Sequence, residues 1–187
     1  MKKSNNKPMK NAGFTLIEMI VTMFVFSIII AAATGLFISA IRGQSRTLAT
    51  QRILDQTSYA LEYMGRALRM ADKEKNPPTC LPSYGLNYAT TTSGKGGLKF
   101  INDDGDCQEF FLDNDYRLKE SKIGVINPLT SPDLRVENFN INLIGQSQDN
   151  NLQPRVTIFL EIRRKAAEHP KLKIQTTISQ RRLDILE

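Results

Sequence analysis

Histidine and cysteine are almost missing from this chain: one histidine, His169, and two cysteines, Cys80 and Cys107, occur in 187 residues. A Ser-His-Asp or Cys-His nucleophilic site needs an imidazole oriented by its neighbours. The only imidazole stands beside Pro170 in a turn-like stretch, which reads as surface. Zinc sites of the Cys/His kind are excluded too, because the cysteines lie 27 positions apart without a histidine near either. The stretch "SGKGG" at 93–97 lacks the spacing of a phosphate-binding loop. The basic runs "RRK" at 163–165 and "QRRLD" at 180–184 have acids among them and no aromatic residues along them. DNA contact and a solvated strand end are both open for these runs, and the second fits better, so nucleic acid is not the expected partner.

Charge is the other shortage, and it is local. Between Phe14 and Ile41 the single ionisable side chain is Glu18. Ahead of this stretch stand Lys2, Lys3, Lys7 and Lys10 with no acid, so most of the net charge of +6 belongs to the first 13 residues. The basic balance is therefore a property of the tip and not of a nucleic-acid-binding face. Leu16 to Ile41 is 26 residues, about 39 Å as a helix against a hydrocarbon core of about 30 Å. The run is too long for the apolar core of a secretory signal peptide, and "FISA" before Ile41 is a poor cleavage site. A basic tip before an apolar run holds the tip on the cytoplasmic side of a membrane. A plain membrane anchor leaves Glu18 unexplained, since a carboxylate in such a segment costs on the order of 2.5–3.5 kcal/mol on insertion scales. No Lys or Arg of the run can answer it. Its counter-charge must come from another molecule or from a positive group created nearby.

The stretch "GFTLIEMIVT", residues 13–22, resembles the N-terminal motif of type IV prepilins and type II secretion pseudopilins. The resemblance implies removal of a leader, residues 1–13, by a prepilin peptidase that cuts between Gly13 and Phe14 and methylates the new terminus on Phe14. It implies that Glu18 faces the terminal amine of a neighbouring subunit as the filament grows, drawn from the inner membrane by an assembly platform. The partners expected are thus other pilin or pseudopilin subunits, the peptidase/methyltransferase, the platform and the membrane, with no cofactor and no catalytic residue. The size, the polar stem and the final "TTISQRRL" are most similar to J-type minor pseudopilins and W-type minor pilins, which implies low copy number at a filament tip. A pilin-like module that captures DNA or a surface ligand is the alternative. Many major pilins kink this helix at a proline; here Gly35 stands in the matching region, either to let the helix bend or to allow close helix approach. Some pseudopilins bind calcium in a loop, so Asp103, Asp104 and Asp106 are a weak calcium candidate, with a plain hairpin turn favoured. Cys80 and Cys107 would lie outside the cytoplasm, as a disulfide or as two small core residues.

Periodicity independently indicates an α+β class, a long helix laid on a mostly antiparallel sheet. The division expected is a leader at 1–13, a transmembrane or filament-core helix at 14–41, an amphipathic stem helix at 42–76 and a β-rich domain at 77–187. The stem shows Leu54, Thr57, Leu61, Met64, Leu68 and Ala71 at helical spacing, and the helix is expected to run to about Lys73 before Pro77 and Pro78. The stripe suits packing on a sheet, with a heptad dimer as the alternative. "GGLKFI", "CQEFFL" and "YRLKES" read as strands separated by the turns "NDDGD" and "DND". "LRVENFNINLIG" shifts phase between Val136 and Phe139, which predicts a bulge. "RVTIFLEIRRK" and "LKIQTTISQRRL" form a hairpin through "AAEHP". The stretch from Thr79 to Lys95 is expected to be the least ordered.

Overall fold

The computed structural model describes residues 13–147, 152–165 and 171–181. His169 and the "AAEHP" connection lie outside these, as do the leader lysines. The chain divides into two compact units, residues 1–45 and 46–187.

Helix α1 spans Leu16–Arg69 and contributes to both units. In the first unit every described side chain is exposed, and the apolar ones form an unbroken coat: Phe24 is 66% and Phe37 67% exposed. The helix is long and apolar enough to cross a membrane, with a mean hydropathy of 2.5 in its most apolar window. Three of its hydroxyls bond back to the preceding turn. Thr22 Oγ1 donates to the Met19 carbonyl at 2.9 Å, Ser27 Oγ to Met23 at 2.8 Å and Thr34 Oγ1 to Ile30 at 2.8 Å. Each donor is satisfied within the helix, which an apolar solvent requires.

In the second unit α1 packs on two antiparallel sheets, confirming the α+β class. The first sheet is a five-stranded meander of β1 (Ala89–Thr91), β2 (Gly97–Ile101), β3 (Cys107–Leu112), β4 (Leu118–Lys122) and β5 (Val125–Pro128). The second, of β6 (Leu134–Ile144), β7 (Arg155–Arg164) and β8 (Leu172–Ser179), is a three-stranded meander. The single sheet expected is therefore two. The register of β6 against β7 slips between Val136 and Asn138, the predicted bulge. It lets Leu134 and Val136 on one side of the slip, and Phe139 on the other, all reach the core.

The helix contributes Ile53, Ala60, Met64, Leu68 and the following Ala71 to that core. Leu98, Phe100, Phe110 and Leu118 come from the first sheet, and Val156, Ile158, Leu160, Ile162 and Ile178 from the second. The predicted stripe is thus rotated by one residue at its start. Ile53 is buried while Leu54 is 40% exposed, and Ala60 is buried where Leu61 is only half-buried. Further along, a Cβ on Gly65 would stand in ordinary contact, 3.8 Å from Ile178 Cδ1, so the helix lies against β8 there.

The helix ends before the prolines because tertiary donors take its last carbonyls. Tyr88 Oη donates to the Leu68 carbonyl at 2.6 Å and the Arg181 amide to Arg69 at 2.8 Å. Gln180 Nε2 donates to Ala71 at 2.6 Å. Asp72 then enters an antiparallel bridge with Ile101. These bonds satisfy the carbonyls a helix C-terminus leaves open. The sequence alone could not show them, since Gln180 lies 109 residues from Ala71 and Arg181 is farther still from Arg69.

Candidate functional site

The site begins where α1 begins. Gly13, Phe14 and Thr15 precede the helix, and Phe14 is 79% exposed. Thr15 Oγ1 accepts the Glu18 amide at 3.4 Å, so Thr15 caps the helix and Glu18 falls in its first turn. The pattern Thr-x-x-Glu is a capping box signature, legible in the sequence but overlooked there. It gives Glu18 a local reason to sit at this end, where a helix dipole favours an anion by about 0.3–1 kcal/mol. That is well below the insertion cost of about 2.5–3.5 kcal/mol, so capping alone does not account for a carboxylate among apolar residues. Further along, α1 runs through Gly35 without a break, and a Cβ there would meet nothing within 4 Å.

The cysteines meet within the second unit. Cys80 and Cys107 are joined, with their Cα atoms 5.4 Å apart, and tie the segment after α1 to the start of β3. The segment from Thr79 to Lys95 is not the loose one expected. It is organised by Glu74, which is fully buried. One carboxylate oxygen of Glu74 accepts the Thr79 amide at 2.8 Å and its hydroxyl at 3.2 Å. The other accepts the Cys80 amide at 2.9 Å and the Leu81 amide. Burial opposes the charge, but the amides of Leu81, Thr79 and Cys80 outweigh it and hold the carboxyl below the usual glutamate range. Sequence reasoning had no signal for Glu74, because its donors come from a stretch without periodicity.

Asp103, Asp104 and Asp106 lie in the β2–β3 turn. Asn102 Oδ1 accepts the amides of Asp104 at 3.0 Å and Asp106 at 2.9 Å, which is the chemistry of an Asx turn. Asp104 is paired with Lys122 at 2.8 Å. Among the described residues no group of three His, Cys, Asp or Glu could hold a metal ion, so these aspartates do not come together as calcium ligands.

Strand β5, which the sequence reading missed, presents an apolar edge. Ile123 and Gly124 form the two-residue turn into it, with φ of 52° and 77°, the signs of a type I′ hairpin. Isoleucine is a poor choice there, since a β-branched residue at positive φ is strained. Ile123 is nevertheless 71% exposed at the tip, followed by Val125 at 58% and Ile126 at 57%. No charged residue occurs from Ile123 to Pro132. Natural edge strands are normally blunted by charge; this one carries Pro128 near its end and nothing else.

The first unit thus defines a protein with an apolar N-terminal helix, capped by Thr15 directly after a Gly-Phe step. Residues 8–34 match the family model described as the prokaryotic N-terminal methylation motif. The chain therefore carries a prepilin-type N-terminus, which supports kinship with type IV pilins and pseudopilins. Comparisons with curated proteins and with solved structures give no match.

Proposed function

We propose that the chain is a minor pilin or pseudopilin: a structural subunit, without chemistry of its own, of a type IV pilus or type II secretion pseudopilus. The prepilin peptidase cuts between Gly13 and Phe14 and methylates the Phe14 amine. The apolar half of α1 anchors the subunit in the inner membrane by a single pass, with the second unit outside the cytoplasm. An assembly platform then moves it into the filament, at or near the tip. The observation that carries this reading is Glu18, the sole ionisable residue of the apolar run, inside a matched methylation motif. Cleavage creates a positive amine four residues before it. In low dielectric a paired carboxylate is tolerable and an unpaired one is costly, so Glu18 selects the position where a neighbour's Phe14 amine reaches it. Gly35 supports the same reading as a place where another helix can approach closely. The β5 edge, apolar and without charge, supports contact with a further subunit, and the Cys80–Cys107 bond suits an oxidising compartment.

Glu18→Val tests the assignment. The variant should insert in the membrane and be cleaved as the parent is, yet incorporate into filaments poorly. Incorporation at the parent level would contradict the role given to Glu18.

A further inference from the structure

The outward face of the second sheet breaks two rules of strand composition at once. On β7 the residues Val156, Ile158, Leu160 and Ile162 are buried, so Thr157, Phe159 and Glu161 face the other way. Register places Asn140 and Gln175 on either side of Phe159, and Asn142 and Thr177 on either side of Thr157. Asn138 stands beside Glu161. Asparagine is depleted in strands, yet β6 places one at 138, 140 and 142, three successive positions of its outward face. Alternation calls for a polar side chain at 159, yet a phenylalanine sits there, half-buried at the centre of the face. Asn140, Asn142, Gln175 and Thr177 are exposed around it.

We infer that this face binds a neutral saccharide chain, with Phe159 as the stacking platform and Asn140, Asn142 and Gln175 as the hydrogen-bonding groups. The carboxamide of Asn or Gln offers donors and an acceptor side by side. That matches adjacent hydroxyls of a sugar, which donate and accept in the same way. The face of an aromatic ring is electron-rich and attracts positively polarised edges, here the C–H groups of a pyranose. Rows about 4.8 Å apart across the strands and about 6.7 Å along them give a grid on which an extended chain can lie. The charge balance selects the ligand. The two central rows, Asn140–Phe159–Gln175 and Asn142–Thr157–Thr177, contain no charged residue. The flanking rows do carry charge: Arg155 is exposed on the same face at one end, Lys173 stands beside Glu161 at the other, and beyond it Arg163 and Lys171 are answered by Glu137. A nucleic acid requires a continuous track of cations to replace its counterions, and here Arg155 and Lys173 are separated by the two uncharged rows. The surroundings also differ from a protein interface core, where aromatic, Met and Arg side chains gather.

The test uses the full chain in lipid nanodiscs, titrated calorimetrically with cellohexaose, with chitohexaose and with a dodecamer of deoxythymidine. Saturable binding of at least one oligosaccharide is expected. Phe159→Ala should weaken it by about tenfold or more, a loss of one aromatic stacking contact, and Asn140→Ala with Asn142→Ala should do the same. Phe159→Tyr should retain it. Circular dichroism melts of each variant establish that the fold is kept. No saturation by either oligosaccharide up to about 10 mM, weaker than any useful affinity, would overturn the proposal. So would equal affinity in parent and folded variants, which would place binding elsewhere. Binding of the deoxythymidine dodecamer alone would overturn it in favour of a single-stranded nucleic acid.

Discussion

Glu74→Gln is the substitution whose cost the structure specifies best. The carboxylate accepts four hydrogen bonds, three from the amides of Thr79, Cys80 and Leu81 and one from the Thr79 hydroxyl. Glutamine keeps the shape but replaces one acceptor oxygen with an NH2 group. Whichever way the amide is turned, donors on one side then face a donor. Charge-assisted bonds contribute about 1.5–3 kcal/mol each, and an orphaned buried donor carries a similar penalty. Losing the bonds on one oxygen should therefore destabilise the second unit by about 3–5 kcal/mol, a large share of a typical domain stability of about 5–15 kcal/mol. Urea unfolding of a fragment starting at Arg46, followed by circular dichroism, measures this directly. Because the folded carboxyl lies below its usual range, its contribution is present above the unfolded glutamate pKa and is lost as pH falls through the folded one. The gap between parent and variant should be widest near neutrality and narrow in acid. A difference under about 1 kcal/mol at pH 7, the value of one ordinary neutral hydrogen bond, would refute the role given to Glu74.

Two further outcomes follow from the same unit. Removing the Cys80–Cys107 bond by paired serine substitution should cost about 3–4 kcal/mol, the chain-entropy value for a loop of this length, read as a lower urea midpoint. Ile126→Lys, at an exposed position of β5, should leave stability within about 0.5 kcal/mol, as surface changes usually do. It should nevertheless lower incorporation into filaments, measured by immunogold counting, because an edge lysine opposes strand contact; unchanged incorporation would remove β5 from the subunit interface.

Local patterns carried most of what the sequence could tell. The apolar run, the capping Thr15, the turns at 102–106 and 113–115 and the phase shift at Glu137 all act over a few residues, so each left a mark in order and spacing. The β7 alternation at Val156, Ile158, Leu160 and Ile162 survived intact because it lies in the middle of its sheet. Readings failed where distant groups decided the outcome. The end of α1 depends on Tyr88, Gln180 and Arg181, and the order of the 79–95 segment depends on Glu74 and on the bond to Cys107. The choice of Ile53 over Leu54 depends on the core that the helix meets across both sheets, whose strands lie far away in the sequence. Strand β5 was missed because Ile123 occupies a turn position where Asn or Gly is the expected signal.

The most direct test of the central claim is mass spectrometry of the N-terminus, on chain purified from cells that possess a prepilin peptidase. The expected terminus is N-methylated Phe14, with residues 1–13 gone. A chain that still begins at Met1, or one cut elsewhere than between Gly13 and Phe14, would contradict it, because no amine would then stand where Glu18 needs one.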